Sequence, residues 1–216
     1  MINNPWLIGA IVNLGLLAIA WILPKKLLTP MGYIHAYILG VLVWGTLQWQ
    51  GYIVVMFYFL VGSAVTKIGM AQKEAEGIAE KRSGMRGPEN VWGSALAATI
   101  CAVITLFVDS PYQELLILGY VASFATKLSD TTASEVGKAY GKTTFLITNF
   151  QPVPRGTEGA VSLEGTLAGI VGSIAIAIVG YIVGLINLYG IIICIIAAFI
   201  ATNIESVIGA TAVSYT

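Results

Sequence analysis

Apolar residues gather along the chain in seven stretches of spanning length: Trp6–Leu23, Gly32–Trp49, Tyr52–Thr66, Val91–Val108, Tyr112–Leu128, Leu163–Ile186 and Leu188–Asn203. A hydrocarbon core of about 30 Å takes about 20 such residues, within a range of about 17 to 25. The third and last stretches are short for this purpose. In lipid the backbone must satisfy its own hydrogen bonds, so runs of this kind are predicted to be helices. The first run has no basic segment before it and no small-residue cleavage site after it. It reads as a retained helix rather than a signal peptide. The predicted fold is all-α: a polytopic integral membrane helical bundle of about seven transmembrane helices, forming a single transmembrane domain over residues 1–216.

Composition strengthens this pattern. Of 216 residues, 57% are hydrophobic and 10% are charged, and the mean hydropathy is +0.84. Soluble domains carry about 25% charged residues, so this chain has too little polar surface for a water-soluble fold. Its formal net charge is zero, and no nucleic-acid partner is expected. Cys101 and Cys194 each lie in an apolar run with no second Cys or His nearby, which argues for packing rather than a zinc site or a disulfide. His35, the single histidine, sits beside Tyr33 and Tyr37 and is read as a packed imidazole.

The positive charges orient the bundle. Lys25 and Lys26 follow the first stretch; Lys67, Lys73, Lys81, Arg82 and Arg86 follow the third; Lys127, Lys138, Lys142 and Arg155 follow or end the fifth. With seven spans, all 11 Lys and Arg residues fall on one side, and only Asp109 and Glu114 remain as charges on the other. The positive-inside rule makes the basic side cytoplasmic, with the N-terminus outside and the C-terminus inside. The host bilayer is expected to be a bacterial inner membrane or a plastid-type membrane.

Two basic-side connections, at about 67–90 and 128–162, carry the polar chemistry. In the first, Ile68, Ala71, Ala75 and Ile78 recur at helical spacing opposite Lys73, Glu74, Glu76 and Glu80, predicting an amphipathic extension of the third span. Gly84, Gly87 and Pro88 then break it. Arg82 and Arg86 make this turn either a solvated basic loop or an anion site of forked donors. In the second, Ser129 reads as an N-cap with Asp130 in the first turn. Asp130, Ser134, Gly137 and Gly141 form one helical row, and Thr131, Glu135 and Lys138 the next. The bland reading is a solvated capped helix. Small side chains among the polar ones favour close approach of a ligand or another helix instead, and paired carboxylates suit Mg²⁺ held together with phosphates. Pro152, Pro154, Arg155, Gly156, Thr157 and Ser162 precede the sixth span, and backbone N–H groups at such a helix start favour phosphate. No GxxxxGK[ST] loop is present. Glu164, Asn203 and Glu205 lie at span ends, where polar groups must face protein, water or an ion.

Four blocks, Lys81–Val91, Ser129–Gly137, Arg155–Ser162 and Thr202–Thr211, together resemble the signature blocks of the phytyl-phosphate kinase family, which is distantly similar to the CTP-dependent phytol and dolichol kinases. The resemblance runs in order through nearly the whole chain. It implies phosphoryl transfer from CTP, or another nucleoside triphosphate, to phytyl phosphate, giving phytyl diphosphate in phytol salvage for tocopherol and quinone synthesis. Family members continue past the Gly209-Ala210-Thr211 block into a further apolar segment, so a form shortened by one helix is expected. Phosphoryl transfer needs metal, cations and positioning more than covalent chemistry. Under this reading Asp130, Glu135 and Glu205 hold Mg²⁺. Lys67, Arg82, Arg86, Lys138 and Arg155 neutralise phosphates. Asn90, Thr131, Ser134, Gly137, Gly156, Thr157, Ser162 and Asn203 bind and orient substrate. An apolar groove between spans would hold the prenyl chain.

Two other classes compete. A small transporter should carry ionisable residues deep within its spans, or broken helices paired across repeats; the charges here sit at span ends. The second is another CTP-using lipid enzyme, a prenol kinase, a cytidylyltransferase or an alcohol phosphotransferase; the last would show a longer Asp-rich helix motif, which is absent from this sequence.

Overall fold

A computed structural model describes residues 4–213. Helix α1 (Pro5–Ile22) starts where Asn4 accepts a hydrogen bond from the Trp6 N–H, with Pro5 at the first helical position; a missing N–H is harmless there. Helix α2 (Pro30–Thr66) begins the same way, with the Thr29 hydroxyl accepting from Gly32. Within α2 only Gln48 departs from helical angles, at φ 54° and ψ −151°. The chain reverses at this point. The Trp44 and Tyr52 rings are 5.0 Å apart. Asn13 accepts a hydrogen bond from Tyr52 and also presses on Gly40, although a straight helix would separate residues 40 and 52 by about 18 Å. Helix α2 is therefore a hairpin of two antiparallel halves, matching the second and third predicted stretches.

Asn13 Oδ1 lies 1.9 Å from the point a Cβ on Gly40 would occupy, and the Trp6 ring 2.2 Å from one on Gly45. Glycine alone lets α1 approach α2 this closely, since apolar helices in lipid associate mainly by packing. Most of the remaining surface of α1, including Ile11, Leu14, Ile19 and Ile22, is exposed and apolar, a surface suited to lipid rather than water.

Helix α3 (Met70–Ala75) is short. Helix α4 (Pro88–Ile104) starts at Pro88, whose ring is compatible with a first helical turn. Helix α5 (Tyr112–Tyr140) is the central element: Tyr120, Val121, Phe124, Ala125 and Leu128 are fully buried, and it packs on α2, α4, α6 and α7. Helix α6 (Leu163–Ile182) meets α5 along a seam of small residues. The positions of Cβ atoms on Gly165 and Gly172 would fall 2.6 Å from Ala133 O and Thr132 Oγ1. Helix α7 (Leu188–Val213) closes the bundle. Among the described residues, Pro5–Ile22, Pro30–Thr66, Leu163–Ile182 and Leu188–Ala212 are long and apolar enough to cross a membrane. Helix α4, with 17 residues, and α5, with its polar second half, fall short of that standard on their own.

Several boundaries differ from the sequence reading. The predicted extension of the third span breaks at Gly69, in the left-handed region at φ 62°, and its faces are inverted: Lys73 is fully buried while Ala71 and Ala75 are exposed. Ser129 is not an N-cap, because α5 runs through it without a breaker. The hydroxyls of Thr131 and Thr132 donate to carbonyls of the preceding turn, so they coexist with the helix. The sixth span ends at Ile182, before Gly184 at φ 79°. Helix α7 continues past Asn203 to Val213; the expected C-terminal shortening falls outside the described residues. One non-helical element is added, a minimal antiparallel pair of β1 (Phe145–Leu146) and β2 (Ala160–Val161) that folds the connection between α5 and α6 back on itself.

Candidate active site

The polar ends of α2, α4, α5, α6 and α7 and the loops around 80–87 and 144–161 enclose one cavity of about 540 Å³. Antiparallel alternation places all of these ends on the same side of the bundle. Fourteen of the sixteen residues singled out from the sequence line it: Arg82, Arg86, Asn90, Asp130, Thr131, Ser134, Glu135, Gly137, Lys138, Gly156, Thr157, Ser162, Asn203 and Glu205. The other two do not. Lys67 caps the end of α2 and is exposed. Arg155 points away to Glu76, at 2.7 Å, and to the carbonyl of Ala139, at 3.4 Å.

Arg86 is held more firmly than a loop arginine. Its backbone N–H donates to Leu27 O at 2.9 Å, and its carbonyl accepts from Thr29 at 3.1 Å. Its guanidinium donates to the Tyr58 hydroxyl at 2.8 Å and lies over the Tyr58 ring, 5.0 Å from the centroid. Tyr58 in turn donates to Ser94 Oγ at 2.7 Å. Gly62 leaves the space that this guanidinium occupies, since a Cβ there would meet Arg86 Nη2 at 2.7 Å. Arg82 pairs with Glu89 at the surface. Asn90 accepts from the Gly87 N–H and closes the start of α4, while Ser162 caps α6 by accepting from Gly165.

The three carboxylates assigned to Mg²⁺ occupy different environments. Glu135 is buried and ion-paired to the buried Lys73, with Lys138 3.8 Å away; Lys73 also donates to Thr66 O at 2.8 Å. Glu135 therefore clamps α3 to α5. Glu205 pairs with Lys127 at 3.0 Å. Asp130, just beyond the fifth apolar stretch, makes no hydrogen bond or ion pair among the described residues. Burial, and then the charge of Glu205, push its carboxyl up to about 6. A nearby cation would relieve both effects. Among the described residues no three acidic, His or Cys side chains gather into a preformed metal cage. Mg²⁺ is commonly held by one or two carboxylates together with substrate phosphates. The Asp130–Glu205 region fits such an ion; Glu135, already neutralised by Lys73, fits it less well.

The cavity is lined by six carboxylates and four cationic side chains, so a polyphosphate would enter it more readily with a divalent cation than alone. Thr202 Oγ1, buried and without a partner among the described residues, lines the same space. Sequence reasoning missed Tyr58 and Ser94, which are hidden within apolar stretches, and Lys81, Glu158 and Ser206. It also missed Lys73 as a buried partner, because charge on a helix face ordinarily signals solvent. His35 accepts a hydrogen bond from Trp92 Nε1 at 2.8 Å, in keeping with a packing role.

Fold and site together define an all-α integral membrane protein with a cavity of mixed charge at one end of its bundle. The chain belongs to the family described as integral membrane protein DUF92, whose model matches residues 13–215. It is 69% identical over 207 residues to an uncharacterised membrane protein, sll0875, of Synechocystis, covering 96% of this chain and 80% of that protein. It is 48% identical over 186 residues to the chloroplast protein VTE6 of Arabidopsis thaliana, covering 85% of this chain and 56% of VTE6. An uncharacterised membrane protein, MJ0933, of Methanocaldococcus jannaschii is 32% identical over 184 residues, covering 83% of this chain and 69% of its own length. No solved structure matches the chain.

Proposed function

We propose that this protein is a membrane prenyl-phosphate kinase that transfers the γ-phosphoryl group of CTP, or another nucleoside triphosphate, to phytyl phosphate. The observation that carries the reading is the convergence of basic, acidic and hydroxyl side chains from separate sequence blocks on one cavity. The resemblance of those blocks to phytyl-phosphate kinases and the similarity to VTE6 support it. An oxygen of the acceptor phosphate attacks the γ-phosphorus. The bond from that phosphorus to the β–γ bridging oxygen breaks, a nucleoside diphosphate leaves, and phytyl diphosphate remains. An ionised phosphate needs no general base, and the cavity lining includes no histidine. Arg82, Arg86 and Lys138 neutralise phosphate charge; Asn90, Thr131, Ser134 and Asn203 orient it. Mg²⁺, held by Asp130 and Glu205, would neutralise the donor's triphosphate charge. Glu135 keeps Lys73 and Lys138 in place beside it. The bundle crosses the membrane seven times, counting both halves of α2, with the cavity facing the cytoplasm.

The purified chain, incubated with phytyl phosphate, Mg²⁺ and each γ-labelled triphosphate in turn, should form labelled phytyl diphosphate. Asp130→Asn should lower turnover by well over tenfold, a loss above about 1.4 kcal/mol of transition-state stabilisation. Absence of product with every triphosphate would overturn the reading.

A further inference from the structure

A second cavity, of about 240 Å³, lies between α1, both halves of α2 and the start of α4. Its walls are mostly aliphatic and aromatic, with Lys25 and the Tyr33 hydroxyl, which donates to Ala20 O at 3.1 Å, along the side; its other polar groups sit at two places. At one end stand Tyr58, Arg86, Asn90 and Ser94, and these four residues also line the charged cavity. At the other end the buried Asn13 accepts from the Tyr52 hydroxyl at 2.9 Å and donates to Gly9 O at 2.8 Å. Asn13 there presses on Gly40 so closely that no side chain would fit between α1 and α2. The groove thus adjoins the charged cavity along a shared wall at Arg86, and the tight α1–α2 contact at Asn13 marks its other end.

This geometry selects an amphiphile with an anionic head and an aliphatic tail. Resting on the kinase reading above, we propose that the groove seats the isoprenoid chain of the acceptor. Arg86 holds the acceptor's phosphate at the mouth, and the Asn13–Tyr52 pair sets the longest chain accepted. Along α1 the groove extends from Asn13 to Leu23, which is about 15 Å at the helical rise. With C–C bonds of ~1.52 Å in a staggered chain, each bond advances about 1.25 Å, so this length takes about twelve main-chain carbons, or about three isoprene units. A phytyl chain fills it and leaves its head unit beside Arg86. A long polyprenyl chain meets the hydrogen-bonded Asn13–Tyr52 stop, and displacing that buried pair leaves polar groups unsatisfied.

The test compares geranyl, farnesyl, phytyl and solanesyl monophosphates as acceptors for the parent and for two variants that narrow the groove midway, Ala36→Phe and Leu17→Phe. Neither position lines the charged cavity. The parent should use farnesyl and phytyl phosphate and reject solanesyl phosphate. The variants should retain geranyl phosphate within about twofold and lose at least about tenfold in kcat/KM for phytyl phosphate, or about 1.4 kcal/mol. Two variants that both melt like the parent and keep its chain-length ratio would overturn the proposal, as would efficient use of solanesyl phosphate. Phytyl phosphate carrying a photoreactive diazirine at its far end supplies a measurement independent of turnover and of variant folding. Labelling of the parent at Asn13, Leu17 or Tyr52 supports the groove assignment, and labelling elsewhere, or none, overturns it. A parent that forms no diphosphate but labels at those positions would refute the kinase reading and keep the lipid site.

Discussion

At the scale of single residues, the pairing of Lys73 with Glu135 governs how the cavity is assembled. A lysine and a glutamate with side-chain exposures of 0% and 3% are stable in the interior only because each neutralises the other. Removing one partner from such a pair costs about 3 to 5 kcal/mol, since the remaining charge is left unsolvated. Lys73→Met should therefore lower thermal stability in detergent by an amount of that order. Adding Glu135→Leu to it should restore much of the loss by removing the stranded carboxylate, without restoring turnover. Equal melting of Lys73→Met and the parent would mean that α3 is not held by this pair. The same pair leaves Glu135 neutralised, whereas Asp130 is desolvated and lacks a partner among the described residues; the proposed metal site therefore rests on Asp130 rather than Glu135. Arg86 is similarly more embedded than its Gly- and Pro-containing surroundings suggest, because its guanidinium lies on Tyr58 and fills the space left by Gly62.

At the scale of elements, the reversal inside α2 depends on one residue in an unfavourable conformation. Gln48 has φ 54° and ψ −151°, a combination that side chains resist and glycine tolerates. Gln48→Gly should stabilise the folded protein by on the order of 1 kcal/mol, and Gln48→Val should destabilise it by at least as much. Paired thermal melts would check both, and a melting temperature lowered by the glycine would contradict the strained-turn account. The α5–α6 seam follows a different logic. Ser129, Thr132, Ala133 and Gly137 are small because α6 passes against them, and Ser129, Ala133 and Gly137 border the cavity together with Asp130, Thr131 and Ser134. Small residues among polar ones thus serve both a helix contact and an open site on one segment.

At the scale of the whole molecule, an even set of reversals gathers the charged ends on one side and leaves a largely apolar belt. The proposed orientation puts that charged side in the cytoplasm. In a variant lacking the native cysteines, Cys placed at Lys142 should resist a membrane-impermeant thiol reagent in intact cells, and Cys at Asp109 should react; both positions are exposed. Lys73 would be a misleading probe, since it is buried whichever way the bundle faces. Labelling at Lys142 together with protection at Asp109 would invert the proposed orientation.

The sequence by itself determined the membrane class, the approximate apolar stretches and fourteen of the residues that line the cavity. Hydropathy acts over whole helices and needs no tertiary information, and four short blocks carry most of the polar side chains outside lipid. Tertiary structure decided what each polar group does. Whether Lys73 faces water or Glu135, whether Ser129 begins a helix or sits inside one, and whether Arg155 reaches the cavity or Glu76 all depend on which distant segment comes within hydrogen-bonding range. The role of Tyr58 depends likewise on a contact with Arg86, 28 positions away in the chain. Local pattern records the polarity of a residue, but its partner is set by how the helices pack.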